Sequence, residues 1–242
     1  MKFEELFEDA QFLGKGASGE VFRTISKTDL DELKPGQEVA VKLVDANTDT
    51  AKKLLRRRTR LIQISDPSIA KVFSIGELED GRVYVASELL LGGTLRKRIE
   101  DFRSPKKVAK LFKPIVGAIV GLHSESQVHR DIKPENILFP SEESDDAKLV
   151  DLDLVRSLPV GESETRFAGT QAYLAPEYFK ENTDIGPKVD VYAIGVMLYE
   201  VLAGRLPTGQ RDDWRPSRHN RAVRGWMDQV VLGCLQLSLI HI

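Results

Sequence analysis

Eight consecutive residues hold the densest chemistry of the chain: His129-Arg130-Asp131-Ile132-Lys133-Pro134-Glu135-Asn136. Asp131 is a carboxylate that can accept a hydroxyl proton. Lys133 is a cation that can neutralise charge on a phosphoryl group in transfer, and Asn136 offers an amide oxygen to Mg2+. A second group is Gly14-Lys15-Gly16-Ala17-Ser18-Gly19, followed by Val21. This G-x-G-x-x-G lies between two strand patterns. The dinucleotide form opens a helix and uses its N-terminus for pyrophosphate. Between strands, the same glycines let a hairpin lie over phosphates with its N–H groups close. Alone the pattern is weak, because plain hairpins also use glycine. A third feature is Val39-Ala40-Val41-Lys42, a lysine closing an apolar strand. A buried lysine is costly unless an anion meets it, and a nucleotide phosphate would serve; an isolated lysine at a strand end more often just reaches water.

These groups need elements to hold them. Short runs rich in Val, Ile, Phe and Tyr, bounded by Gly, Asp and Pro, predict strands at Gln11–Leu13, Glu20–Ile25, Val39–Val44, Ile69–Ile75 and Arg82–Glu88. One helical pattern interrupts them, from about Thr50 to Ile64. After Gly92-Gly93 the character changes, with helical patterns at Thr94–Phe102, Ser104–Ser124 and Lys188–Ala203. A strand-rich lobe thus precedes Leu89–Gly93 and a helical lobe follows. Ser141–Asp146 reads as a polar loop between two short strands.

Composition narrows the classes. The 242 residues fit one two-lobed unit or two small domains. Lys and Arg total 35 against 37 Asp and Glu, a net charge of −2, which argues against a general nucleic-acid or membrane-surface binder. Apolar residues at 41% and charged residues at 30% exclude disorder as the main state. Cys234 is the single cysteine, so no intrachain disulfide forms, and a reducing, cytoplasmic setting is expected. No apolar run reaches the roughly 20 residues of a spanning helix, and Met1-Lys2-Phe3-Glu4-Glu5 does not open like a signal peptide.

Further segments agree in order and spacing: Lys148-Leu149-Val150-Asp151-Leu152-Asp153, Ala168 to Glu177 with Gly169-Thr170 and Ala175-Pro176-Glu177, and Asp190 to Val196. Over about residues 10–236 the chain resembles a eukaryotic-type (Hanks-type) serine/threonine protein kinase domain. The resemblance implies an α+β bilobal fold. Its N-lobe, about 10–88, is an antiparallel β-sheet plus one helix. A hinge at 89–93 leads to a mainly helical C-lobe at 94–236, and 237–242 form an atypical tail. It also implies ATP, Mg2+ and a protein Ser/Thr substrate, with no nucleic acid. Ala203 to Gly209 looks more like bacterial members of the family than animal ones.

Carried over residue by residue, the resemblance places Gly14, Lys15, Gly16, Ala17, Ser18 and Gly19 over the ATP phosphates. Val21, Ala40 and Leu138 would sandwich the adenine, and Lys42 would hold the α and β phosphates. Glu88 to Leu90 would pair with the adenine edge, behind a small gatekeeper, Ser87. Asp131 would be the base, assisted by Lys133, while Asn136 and Asp151 would bind Mg2+. His129 and Leu152 would pack in an internal spine, and Asp190 would hold the backbone of the 129–136 loop. Arg130 before the base resembles members gated by phosphorylation, with Ser163 and Thr165 as the nearest hydroxyls.

Three departures stand out. No glutamate lies between Glu38 and Glu77, so the usual partner of Lys42 is absent and Arg57 takes its slot, on the face shared by Leu54 and Leu61. The glycine of the family's D-F-G is Asp153, which restricts that turn. An Arg57–Asp153 ion pair would compensate for both. The arginine that buries with Glu177 does not arrive before Leu237-Ser238-Leu239-Ile240-His241-Ile242. The expectation is therefore an unpaired buried carboxylate and a truncated or mis-joined end, in a chain short for its fold. Two function classes follow: an active kinase, or a pseudokinase that binds nucleotide or a partner without turnover.

Overall fold

The computed structural model describes residues 1–16, 19–46, 48–152, 156–157, 171–179, 185–208 and 213–237. The chain separates into two compact units, Met1–Leu91 and the residues from Gly92 onward.

The first unit is built on five antiparallel strands. They are β1 (Phe7–Gly16), β2 (Gly19–Ser26), β3 (Glu38–Val44), β4 (Val72–Glu77) and β5 (Val83–Glu88), in the order β1-β2-β3-β5-β4. Alternation along β3 decides its faces: Val39, Val41 and Leu43 are buried, while Ala40 and Lys42 point the other way. The buried set joins Leu6, Phe7, Leu33, Leu78, Tyr84 and Ala86 in one apolar cluster. A short helix α1 (Phe3–Leu6), absent from the expected elements, delivers Leu6 and Phe7 to that cluster.

Helix α2 (Asp49–Gln63) packs on β4 and buries Ala51, Leu54, Leu61 and Ile62. The Thr48 hydroxyl caps it, accepting from the Ala51 N–H at 3.1 Å. Arg57 is half-buried on it. Strand β1 is longer than its apolar run predicts. Two register shifts, at Glu8/Gln11 and Phe12/Gly14, carry pairing through polar residues that no alternation rule selects. Conversely β4 begins at Val72 rather than Ile69; Ile69 and Ala70 are buried ahead of it, Ile69 making an isolated bridge and no strand.

The second unit is mainly helical. It holds α3 (Leu95–Arg98), followed by a 3-10 turn at Ile99–Phe102 where one longer helix was predicted, then α4 (Pro105–Ser124), α5 (Lys188–Ala203) and α6 (Gly225–Leu237). Two small ladders accompany them. Strand β6 (Gln127–Val128) pairs with β9 (Arg156–Ser157), and β7 (Ile137–Leu138) pairs with β8 (Lys148–Leu149), both antiparallel. Helix α5 is apolar nearly all round and is correspondingly buried, from Val189 to Ala203. At Gly195 a side chain would meet the Cβ of Cys234 at 2.8 Å, so the glycine permits α5 and α6 to approach. The architecture is the α+β arrangement expected: an antiparallel sheet with one long helix, then a helical unit. Among the described residues, no helix is long and apolar enough to cross a membrane.

Candidate active site

The first unit carries the glycine-rich hairpin. Strands β1 and β2 are antiparallel, with Lys15 opposite Glu20 and Gly16 opposite Gly19. Ala17 and Ser18 lie outside the described residues. The Lys15 ammonium is exposed and bonds Glu20 at 3.3 Å. The glycines differ in why they are glycine. A Cβ on Gly19 would sit 1.9 Å from the Leu43 carbonyl oxygen, so packing against β3 forbids any side chain there. A Cβ on Gly14 would meet nothing within 4 Å, and one on Gly16 only an ordinary contact at 3.8 Å. The fold leaves room there for a side chain that the sequence does not use. Bare backbone at those two positions fits close approach by a ligand such as phosphate.

Register brings the other first-unit candidates together. Val21 lies opposite Lys42 across the β2–β3 ladder, and Ala40 lies two residues from Lys42 on the same face. Ser87 is opposite Ala40 across β3–β5, its hydroxyl 3.4 Å from the Ala40 carbonyl. Glu88 ends β5, with its N–H on the Lys71 carbonyl at 2.8 Å; Leu90 follows, buried.

The second unit holds the 129–136 loop between β6 and β7. The Lys133 ammonium bonds both oxygens of Asp131, at 2.9 and 2.7 Å. Asn136 Nδ2 donates to the Asp131 backbone carbonyl at 2.7 Å and to its carboxylate at 2.8 Å. Both amide hydrogens are thereby used, which leaves Oδ1 as the atom of Asn136 with the chemistry to meet a cation. The β7–β8 ladder brings a second oxygen donor, Asp151, near Asn136 in the chain. Ile137 pairs with Leu149 and the Val150 N–H donates to the Asn136 carbonyl at 2.9 Å, so Asp151 follows directly on a residue tied to Asn136. An amide oxygen and a carboxylate are the donor types that Mg2+ takes. Leu138 on β7 is half-buried and bridges to Thr94. Gly92 lies so close to the segment after this strand that a Cβ would come within 2.1 Å of the Ser141 carbonyl oxygen.

Helix α5 fixes the loop. The buried Asp190 carboxylate accepts the N–H of His129 and of Arg130, each at 2.8 Å, and also meets His123 Nε2 at 2.8 Å. Arg130 is held at a φ of 74°, a strained conformation for a residue with a side chain. His129 is fully buried, with Nε2–H on the Val150 carbonyl and Nδ1 accepting from the Asp131 N–H, both at 3.3 Å. Leu152 is buried as well.

Arg96 was not foreseen. Its Nε donates to Glu135 at 2.7 Å, Nη1 to Glu200 at 2.5 Å and Nη2 to the Tyr173 hydroxyl at 2.5 Å, and that hydroxyl donates to Glu200. Burial works against the guanidinium charge, but its bonds to Glu135, Glu200 and Tyr173 outweigh that and hold Arg96 above its ordinary range. Burial and then the neighbouring Glu200 carboxylate keep the Tyr173 phenol protonated well above the usual range. No motif signals this group, because Arg96 and Glu200 are 104 residues apart.

Some expectations fall outside the described residues: Asp153 and with it the Arg57–Asp153 pair, Ser163 and Thr165, and Gly169-Thr170. One is corrected. Glu177 is buried, but it does not stand free of interactions, so the unpaired carboxylate expected there is not what the structure contains.

Strand order, hairpin and loop together define a class: a phosphotransferase fold with a glycine-rich hairpin and an Asp–Lys–Asn loop. Comparison with known proteins places the chain within it. The family model for the protein kinase domain matches residues 7–231, and the chain belongs to that family. It is 32% identical over 205 residues to the serine/threonine-protein kinase PknL of Mycobacterium bovis, covering 81% of this chain and 48% of that protein. It is 32% identical over 203 residues to the probable serine/threonine-protein kinase MARK-C of Dictyostelium discoideum, covering 78% and 26%. Against the calcium/calmodulin-dependent protein kinase type II of Caenorhabditis briggsae it is 33% identical over 220 residues, covering 88% and 40%. The chain thus spans between about a quarter and a half of the length of these relatives.

Proposed function

We propose that the chain transfers the γ-phosphoryl group of ATP to serine or threonine hydroxyls of protein substrates, with Mg2+. The observation that carries this reading is the Asp131 carboxylate, gripped by Lys133 on both oxygens and by Asn136 on one. A carboxylate oriented this way takes the substrate hydroxyl proton as the hydroxyl oxygen bonds to the γ-phosphorus. The bond from that phosphorus to the β–γ bridging oxygen breaks and ADP leaves. Lys133 then offsets negative charge on the phosphoryl oxygens. Mg2+, when bound, neutralises phosphate charge, and Asn136 and Asp151 are the residues that would hold it. In the first unit, Lys42 and the backbone of Gly14 to Gly19 would bind the nucleotide phosphates. Val21, Ala40 and Leu138 would line the adenine, and Glu88 and Leu90 would pair with its edge. Residues about 10–88, 89–93 and 94–236 are read as N-lobe, hinge and C-lobe, and the cytoplasm as the place of action. The serine/threonine kinases named above support the hydroxyl class.

One observation favours a second reading. Helix α2 carries Arg57 and no glutamate, a departure from the family's usual composition there that a pseudokinase binding nucleotide or a partner without turnover would tolerate. Transfer of labelled phosphate from ATP to a generic basic protein decides between them. Wild type should transfer and Asp131→Asn should not. No transfer by wild type, with nucleotide-dependent thermal stabilisation, would establish the second reading instead.

A further inference from the structure

We infer that Arg96 is a positioning residue that locks the 129–136 loop and the Gln171–Tyr173 turn onto helix α5. This rests on the kinase reading for its effect on rate. Three nitrogens of one guanidinium reach three separate segments: Glu135 in the loop, Glu200 on α5 and Tyr173 in the turn. Glu200 is 7% exposed, so its two oxygens need partners from the protein, and Arg96 and Tyr173 supply one each. The planar fork is what makes the arrangement possible, since a lysine ammonium has no fixed geometry with which to serve three directions.

The connection to chemistry is short. Glu135 lies between Lys133 and Asn136, within the 3-10 turn Pro134–Asn136. Lys133 and Asn136 are, among the described residues, the side chains that orient the Asp131 carboxylate. Asp190 secures the front of the loop through the N–H groups of His129 and Arg130, and Arg96 secures its rear through Glu135. Both anchors end on α5, where Asp190 and Glu200 sit near opposite ends of Lys188–Ala203. Loss of Arg96 frees the rear of the loop and leaves the buried Glu200 without its cation.

The test uses the full chain as wild type, Arg96→Met, Arg96→Lys, Tyr173→Phe and the double variant Arg96→Met/Tyr173→Phe. Turnover of a serine-containing basic protein is measured per folded molecule. Arg96→Met should lower kcat about tenfold while KM for ATP stays within about twofold, because the first-unit residues are untouched. Arg96→Lys should recover part of the loss. Tyr173→Phe, a milder change, should give a smaller loss that adds nothing further in the double variant. Amide exchange reads the same coupling without turnover: in Arg96→Met, peptides covering 129–138 and 171–179 should exchange at least about threefold faster, with β3 unchanged. Unchanged kcat and exchange in Arg96→Met, or full additivity in the double variant, would overturn the inference. A wild type that transfers no phosphate would overturn the kinase reading alone, and exchange would still decide the role of Arg96.

Discussion

The carboxylate of Asp190 accepts the backbone N–H of Arg130 at 2.8 Å, across 60 positions of sequence. It also takes the His129 N–H, so a buried helix side chain holds two consecutive amides of the loop that carries Asp131. Asp190→Asn replaces one acceptor oxygen by a donor in front of those amides. It should cost on the order of 3 kcal/mol of stability, read from the denaturant midpoint, together with most of the transfer activity.

The Asp131–Lys133 contact separates catalysis from stability. Lys133→Met should lower kcat about 100-fold with little change in KM for ATP. Lys133 is half-buried and, among the described residues, its side chain bonds the Asp131 carboxylate, so the melting temperature should move by a few degrees at most. Steady-state kinetics beside a thermal melt checks both.

The glycines predict opposite outcomes. Gly19→Ala drives a Cβ into the Leu43 carbonyl and should destabilise the protein by about 2 kcal/mol or more. Gly14→Ala meets open space, so stability should change by less than about 0.5 kcal/mol, while KM for ATP rises. Equal stability losses at both positions would remove the case for a ligand at Gly14.

Alkaline pH should weaken the fold. Burial pushes the Tyr178 phenol up to about 12, and Tyr173 is raised as well. An unfolded tyrosine ionises near 10, so the stability these groups contribute is complete below about pH 10 and falls as the pH rises toward 12. Denaturant midpoints at pH 9 and 11 should differ, and Tyr178→Phe should reduce the difference.

Most of the candidate site was legible because phosphoryl transfer needs particular residue types at short spacings. Asp131, Lys133 and Asn136 lie within one loop, and the glycines within one hairpin, so local sequence carries them. The α5 boundaries were equally plain, since Lys188–Ala203 is a continuous apolar helix pattern ending at Gly204 with φ 73°. Strand β1 was only partly visible, because pairing through bulges obeys its partner strand rather than its own alternation. The 3-10 turn after α3 was read as more helix for a similar reason: the 3.6 period does not record where tertiary contacts tighten a turn.

The sequence by itself determined the chemistry available and the order of the elements that carry it. Tertiary structure decided which distant groups meet. Arg96, Glu135, Tyr173 and Glu200 form one hydrogen-bonded group only because α3, the loop, the turn and α5 converge in the second unit. Buried polar atoms must find partners wherever the packed chain brings them, and sequence spacing carries no record of that meeting.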